Sequence, residues 1–99
     1  MKIIAVTACP TGIAHTYMAA EQLEKTAKSL GHSIRVETQG SMGIENELTA
    51  KDIAEAEVAI LAMDIALEKP ERFKGKKTIQ VSVSEAIKNP KGVLAKAAA

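Results

Sequence analysis

Four short segments of the chain have the hydrophobic patterns of β-strands. Residues 2–7 and 58–63 are almost continuously apolar, which is typical of strands covered on both faces of a sheet. Residues 33–38 alternate apolar and charged side chains, which predicts an outer strand with one polar face. Residues 78–83 predict a fourth strand.

Helical signals lie between these strands. Apolar residues recur at steps of three and four along the first helix, at Ala20, Leu23, Ala27 and Leu30. Gly31 stands where a left-handed C-terminal cap belongs, and Thr49 with Asp52 resembles a capping box that opens a short helix. Ser84 and Pro90 predict two further helix starts. We expect the alanine-rich end to fray.

Strands that alternate with helices at this spacing predict a three-layer α/β/α sandwich. Right-handed crossovers favour a four-stranded parallel sheet, in the order 2-1-3-4, with helices on both faces. A length of 99 residues suits one domain over residues 1–99. Ligands of such folds bind beyond the carboxyl ends of the strands, so the loop after the first strand is the leading candidate site.

Composition and charge narrow the classes of function. Hydrophobic residues at 46% and a net charge of +1 are ordinary for a globular domain and give no electrostatic surface for nucleic acid. The apolar runs are far shorter than the roughly 20 residues of a membrane span, and no signal peptide is visible, so we expect a cytoplasmic protein. The single cysteine excludes an internal disulfide and a metal site built from thiolates alone.

That cysteine stands where the chemistry of the fold is expected. Cys9 ends the first strand, and the loop to the first helix reads Cys-Pro-Thr-Gly-Ile-Ala-His-Thr over residues 9–16. Backbone N–H groups at a helix amino terminus bind anions, and they would favour both a thiolate and a phosphoryl group attached to it. We therefore expect Cys9 to be a nucleophile, and the candidate phosphate-binding residues are Thr11, Gly12, Ile13, Ala14, His15 and Thr16.

The spacing of this loop separates a carrier from a hydrolase. Low-molecular-weight tyrosine phosphatases have Cys, five residues and then an Arg that clamps the phosphate, whereas here His15 occupies the arginine position. Histidine lacks the permanent charge and the two-pronged hydrogen bonding of a guanidinium. The loop thus favours a carrier with a phosphocysteine that survives until its acceptor arrives.

The same loop resembles that of the fructose-type enzyme IIB of the bacterial phosphoenolpyruvate-dependent sugar phosphotransferase system. Further agreement lies in residues 17–21, in Glu-Thr-Gln-Gly at 37–40, in Asp64 and in Arg-Phe at 72–73. The resemblance implies a Rossmann-like fold related to the low-molecular-weight phosphatases. It also implies that Cys9 takes a phosphoryl group from a phosphohistidine on enzyme IIA and passes it to a sugar held by the membrane enzyme IIC, without metal or cofactor, at the inner face of the membrane.

Several alternatives remain open. Mannose- and mannosylglycerate-type relatives carry similar loops, so the sugar is not fixed, and the chain could be a free subunit or part of a fused transporter. A phosphatase- or arsenate-reductase-like hydrolase and a non-catalytic flavodoxin-like binding module are the rival functions.

Individual residues also have two interpretations each. His15 and Thr16 could cap the first helix, and Gly40 could serve turn geometry. Asp64 could be a general acid or a cap, and Arg72 could form a surface salt bridge or contact enzyme IIA.

Overall fold

The computed structural model describes residues 1–9, 13–40 and 43–99, and of Ile13 and Ala14 it describes the backbone only. Within these ranges the elements, in chain order, are β1 (Lys2–Ala8), α1 (Ile13–Ser29), β2 (Ser33–Gly40), β3 (Gly43–Glu45), α2 (Ala50–Glu55), β4 (Val58–Met63), a 3₁₀ helix (Pro70–Phe73), β5 (Thr78–Val81), α3 (Val83–Lys88) and α4 (Pro90–Ala98).

The described strands form one mixed sheet in the order β3-β2-β1-β4-β5. β1 pairs in parallel with β2 and β4, and β5 pairs in parallel with β4, so the predicted α/β fold and its parallel order are confirmed. The sheet has five strands rather than four, because β3 adds to the edge antiparallel to β2. A strand of three residues gives too short a pattern to recognise, and Gly43, with φ of +85°, makes its entry possible.

Two separate cores cover the two faces of the sheet. On the first, which we call the α1 face, residues such as Ile3 and Ala5 of β1 pack against α1, α3 and α4. On the second, the α2 face, Ile4, Val6 and Ala8 pack against α2 and the segments that surround it. This alternation along β1 makes it the buried centre of the molecule.

The element ends confirm some predictions and correct others. The Thr49 and Asp52 capping box is present, and Gly31 has φ of +81°. The predicted start of α3 at Ser84 is wrong, since Ser82 is the N-cap and its hydroxyl accepts from the Glu85 N–H at 3.0 Å. The predicted fraying of the chain end is also wrong, because α4 reaches Ala98 and Ala97 is fully buried.

None of the helices in the described ranges combines the length and the apolar character needed to cross a membrane.

Candidate functional site

Cys9 lies at the carboxyl end of the central strand. Its neighbour Ala8 is in register with Gln39 of β2 and Met63 of β4, and the Ala8 carbonyl accepts from the Asp64 N–H at 2.9 Å. Cys9 itself is 3% exposed and belongs to the core of the α1 face. The structure therefore places this thiol where the topology predicted the site, at the carboxyl edge between two flanking strands.

The first turn of α1, residues 13–16, is held against the ends of β1 and β2. The buried Thr7 hydroxyl donates to the Thr16 carbonyl at 3.1 Å, and a Cβ placed on Gly40 would lie 3.7 Å from Thr16 Oγ1. Thr16 is 1% exposed and is the fourth residue of α1, so it does not cap the helix. The turn that carries part of the predicted phosphate loop thus contacts both strands.

The structure describes some of the other predicted loop residues and not others. Ile13 and Ala14 have helical backbone, and His15 is an exposed residue of the same turn. The predicted roles of Thr11 and Gly12 fall on residues outside the described ranges. The phosphate-binding loop as a whole stays a prediction.

A cleft of about 420 Å³ opens beside the thiol. The residues that give it chemical character are Cys9, His15, Met18, Asp64, Ile87 and Lys88. An imidazole and an ammonium group on the wall suit an anionic group, while Met18 and Ile87 supply apolar surface. Cys9 and His15 therefore line the same cleft.

Asp64 lines this cleft but is engaged by a helix. Its Oδ1 accepts from the Val83 N–H at 3.2 Å, at the first residue of α3. A carboxylate that accepts a hydrogen bond from a helix amino terminus acts as a cap. Of the two interpretations of Asp64, the geometry supports the cap.

Within the described ranges, no group of three or more His, Cys, Asp or Glu side chains is arranged to hold a metal ion.

A buried ion pair joins β2 to the 3₁₀ helix on the α2 face. The Arg72 guanidinium donates two parallel hydrogen bonds to Glu37, at 2.8 and 2.9 Å, and Glu37 is fully buried. The Glu37 carboxylate also accepts from the Leu48 N–H at 2.9 Å and from the Gln39 amide at 2.7 Å. The expectation of a surface salt bridge for Arg72 is wrong, because its side chain is only 15% exposed. Contact of Arg72 with enzyme IIA stays a prediction.

The charges of this pair stabilise one another. Burial alone would raise the pKa of Glu37, but the hydrogen bonds from Arg72, Gln39 and Leu48 outweigh it and hold that pKa below its usual value. The hydrogen bonds to Glu37 likewise raise the pKa of Arg72, against the opposing effect of burial. Gln39 extends the network, since its amide oxygen accepts from the Glu68 N–H at 2.8 Å.

Sequence reasoning missed this network because its members are far apart along the chain. Glu37 and Arg72 are separated by 35 positions. No signal of it is visible in the sequence, since Val-Glu-Thr-Gln at 36–39 alternates like a strand with one polar face, and its burial on both faces is seen only in the structure. A carboxylate at such a position needs a cationic partner.

Comparison with known proteins shows the family of the chain. The model of the family described as "PTS system, Lactose/Cellobiose specific IIB subunit" matches residues 4–96. The PTS system fructose-like EIIB component 2 of Escherichia coli is 56% identical over 95 residues, which are 96% of this chain and 90% of that protein. The PTS system fructose-specific EIIABC component of Bacillus subtilis is 54% identical over 96 residues, which are 97% of this chain but 15% of that protein.

A solved structure extends this agreement to three dimensions. A domain of the fructose-specific IIABC component from Borrelia burgdorferi superposes with a TM-score of 0.91 at 52% identity, covering 96% of this chain and 90% of that domain. These similarities do not favour the hydrolase or the flavodoxin-like module. The chain belongs to the fructose-type enzyme IIB family of the sugar phosphotransferase system, whose function is phosphoryl transfer in sugar transport.

Proposed function

We propose that Cys9 is the residue of this chain that carries the phosphoryl group. The observation that supports this best is the position of the thiol at the carboxyl end of β1, beside a cleft that His15 and Lys88 also line. Two other phosphorylatable side chains that line the cleft fit less well. Asp64 is engaged as a cap, and Ser84 is an exposed hydroxyl that lacks the nucleophilicity of a thiolate.

The proposed reaction consists of two displacements at phosphorus. In the first, the Cys9 thiolate attacks the phosphohistidine of enzyme IIA, a sulfur–phosphorus bond forms as the nitrogen–phosphorus bond breaks, and the departing imidazole takes up a proton. In the second, a sugar hydroxyl on enzyme IIC attacks the same phosphorus, loses its proton, and the thiolate leaves. Backbone N–H groups and His15 would stabilise the charge on the phosphoryl oxygens in both steps.

Exposed apolar side chains beside the cleft supply a surface for the two partners. Met18 is 48% exposed and Ile65, which follows Asp64, is 40% exposed. An apolar surface around a charged centre excludes water when a partner docks, and this strengthens the interactions of the phosphoryl group. We expect enzymes IIA and IIC to use this surface in turn.

The relatives supply the partners and the sugar of the proposal. The Bacillus subtilis protein is a fructose-specific EIIABC component, so the three activities occur there in one chain. We infer that this chain works with enzymes IIA and IIC, that fructose is the sugar, and that the domain acts in the cytoplasm at the inner face of the membrane. Choice of sugar rests mainly with enzyme IIC, because the sugar binds there.

The decisive experiment is phosphorylation of the purified chain by phosphoenolpyruvate and the upstream carriers. We expect the intact mass to increase by one phosphoryl group, with the acid-stability profile of a phosphothiol. Cys9→Ser should take up no phosphoryl group and transfer nothing to sugar, because a serine hydroxyl, unlike a thiol, is too weakly acidic to supply an anionic nucleophile near neutral pH. Phosphorylation of the Cys9→Ser variant at the wild-type rate would refute the assignment.

A further inference from the structure

Thr38 has a buried hydroxyl for which the described residues provide no hydrogen-bond partner. The residue is 3% exposed, and among the side chains that the structure describes its Oγ1 is the buried polar atom without a partner. Leaving a buried hydroxyl unsatisfied lowers the stability of a fold. An unsatisfied buried group in a native protein calls for an explanation, and one explanation is a partner that it gains in another state.

The position of Thr38 indicates which part of the molecule that state involves. Thr38 is in register with Thr7 on the neighbouring strand, and the Thr7 hydroxyl bonds the Thr16 carbonyl. Two residues further along β2, on the same face, Gly40 approaches the Thr16 hydroxyl. The Thr38 hydroxyl therefore lies in the layer between β2 and the first turn of α1.

The strand under this hydroxyl is firmly held from its other face. Glu37 and Gln39, on either side of Thr38, point to the α2 face and are fixed there by Arg72, Leu48 and Glu68. β2 is thus anchored, and a change of contact between Thr38 and α1 must come from the α1 side. The first turn of α1 belongs to the segment that follows Cys9.

We propose that Thr38 is a positioning residue for the phosphorylated form. Its hydroxyl gains a hydrogen bond to the first turn of α1 when Cys9 carries a phosphoryl group and the N–H groups of that turn point towards the phosphoryl oxygens. A hydroxyl both donates and accepts, so it can satisfy either a carbonyl or a hydroxyl of the shifted turn. This inference rests on the proposed phosphorylation of Cys9.

The test compares Thr38→Val with the wild type in both forms of the full chain. Each protein is phosphorylated with phosphoenolpyruvate and the upstream carriers, and the melting temperature and the hydrolysis rate of the phosphocysteine are measured. Without phosphate, Thr38→Val should melt at or above the wild-type temperature, because it removes an unsatisfied hydroxyl. Phosphorylation should raise the melting temperature of Thr38→Val by about 4 °C less than it raises that of the wild type. Its phosphocysteine should hydrolyse about fivefold faster, the ratio expected for one hydrogen bond.

Two further variants separate this role from packing. Thr38→Ser keeps the hydroxyl and should restore the wild-type gain on phosphorylation and the wild-type hydrolysis rate. Thr7→Val removes a hydroxyl that is already bonded, so it should lower the melting temperature equally in both forms. Loss in Thr38→Ser equal to that in Thr38→Val would show that keeping the hydroxyl does not preserve the gain, and this would overturn the proposal.

The remaining outcomes are also decisive. If Thr38→Val is clearly less stable than the wild type without phosphate, the hydroxyl is already engaged and the proposal is wrong. If the phosphorylated Thr38→Val and wild-type proteins have equal melting gains and equal hydrolysis rates, Thr38 plays no part. Failure of the wild type to take phosphate on Cys9 would instead refute the proposed function, because no variant is involved in that measurement.

Discussion

Glu37 shows how one buried charge is tolerated in this fold. Its carboxylate receives hydrogen bonds from a guanidinium, an amide and a backbone N–H, which together replace the water that it loses on folding. The guanidinium in turn lies with its central carbon 5.0 Å from the centre of the Phe73 ring. The pair therefore connects β2, the segment before α2 and the 3₁₀ helix through a single group.

Removing the charge of Glu37 should destabilise the protein strongly. We expect Glu37→Gln to lower the free energy of unfolding by about 3 kcal/mol, because it leaves the Arg72 guanidinium partly buried without a counter-charge. The matched control is Glu47→Gln, which breaks the exposed ion pair of Glu47 with Lys69 and should cost less than about 1 kcal/mol. Urea unfolding at neutral pH measures both, and equal losses would show that burial of the pair is unimportant.

The same carboxylate predicts a pH dependence. The folded state lowers the pKa of Glu37 from its ordinary value of 4.5, so its contribution is complete above that pH and is lost as the pH falls through the folded value. The difference in unfolding free energy between the wild type and Glu37→Gln should be largest near neutral pH and should shrink in acid. A difference that stays constant from pH 7 to pH 3 would contradict this assignment.

His15 can be separated from the fold because it is exposed. We expect His15→Ala to keep the stability of the wild type but to slow phosphoryl transfer from enzyme IIA by about tenfold or more, through loss of a donor at the developing charge. Alkylation of Cys9 should proceed as before. The other histidine, His32, lies beside the amino terminus of the chain, and His32→Ala serves as the control. An unchanged transfer rate in His15→Ala would leave this side chain without a role.

At the scale of elements, α3 begins where two caps meet. The Ser82 hydroxyl accepts from the Glu85 N–H, and the Asp64 carboxylate accepts from the Val83 N–H. Asp64→Asn keeps an accepting oxygen and should preserve both stability and phosphoryl transfer, whereas Asp64→Ala should cost about 1 kcal/mol. Thermal unfolding and the transfer rate distinguish the two roles. Loss of transfer in a stable Asp64→Asn protein would restore the general acid.

The elements also show what a sequence pattern can predict. The buried strands and α1 were predictable because their patterns are long and regular, and their parallel order follows from the crossover rule. β3 was not, since three residues give no period. The alanines at the end of α4 favour a helix, but a short helix is stable only when it packs against the rest of the fold. The burial of Ala97 in the core of the α1 face provides that packing, and the local sequence does not reveal it.

Some features of the candidate site can be predicted from the sequence, and others cannot. The position of Cys9 and its proximity to His15 follow from a local segment, so the sequence predicts them. The Glu37 and Arg72 pair and the unsatisfied hydroxyl of Thr38 depend on how distant segments meet. Such features need the tertiary structure, because hydrogen-bond satisfaction is a property of the assembled core.

For the whole molecule, the two chain ends lie away from the cleft. The Met1 carbonyl accepts from the N–H of Ser33, the first residue of β2, and the Ala99 carbonyl accepts from Lys77, which directly precedes β5. Both ends are therefore at the amino edge of the sheet, whereas Cys9 is at the carboxyl edge. Additional chain attached at either end would therefore begin at the edge of the sheet opposite the cleft.

The whole molecule should also be a poor hydrolase. In a phosphatase of related fold, an arginine at the position of His15 would hold the phosphoryl group while water attacks, and this chain offers an exposed imidazole there instead. We expect the isolated protein to cleave an aryl phosphate at well below about 1 s⁻¹, the lower end of ordinary enzyme turnover. His15→Arg is the informative variant, because the added guanidinium should raise this hydrolysis while shortening the lifetime of the phosphocysteine. Fast aryl phosphate cleavage by the wild type would mean that the thiol releases phosphate to water, and the carrier role would then be untenable.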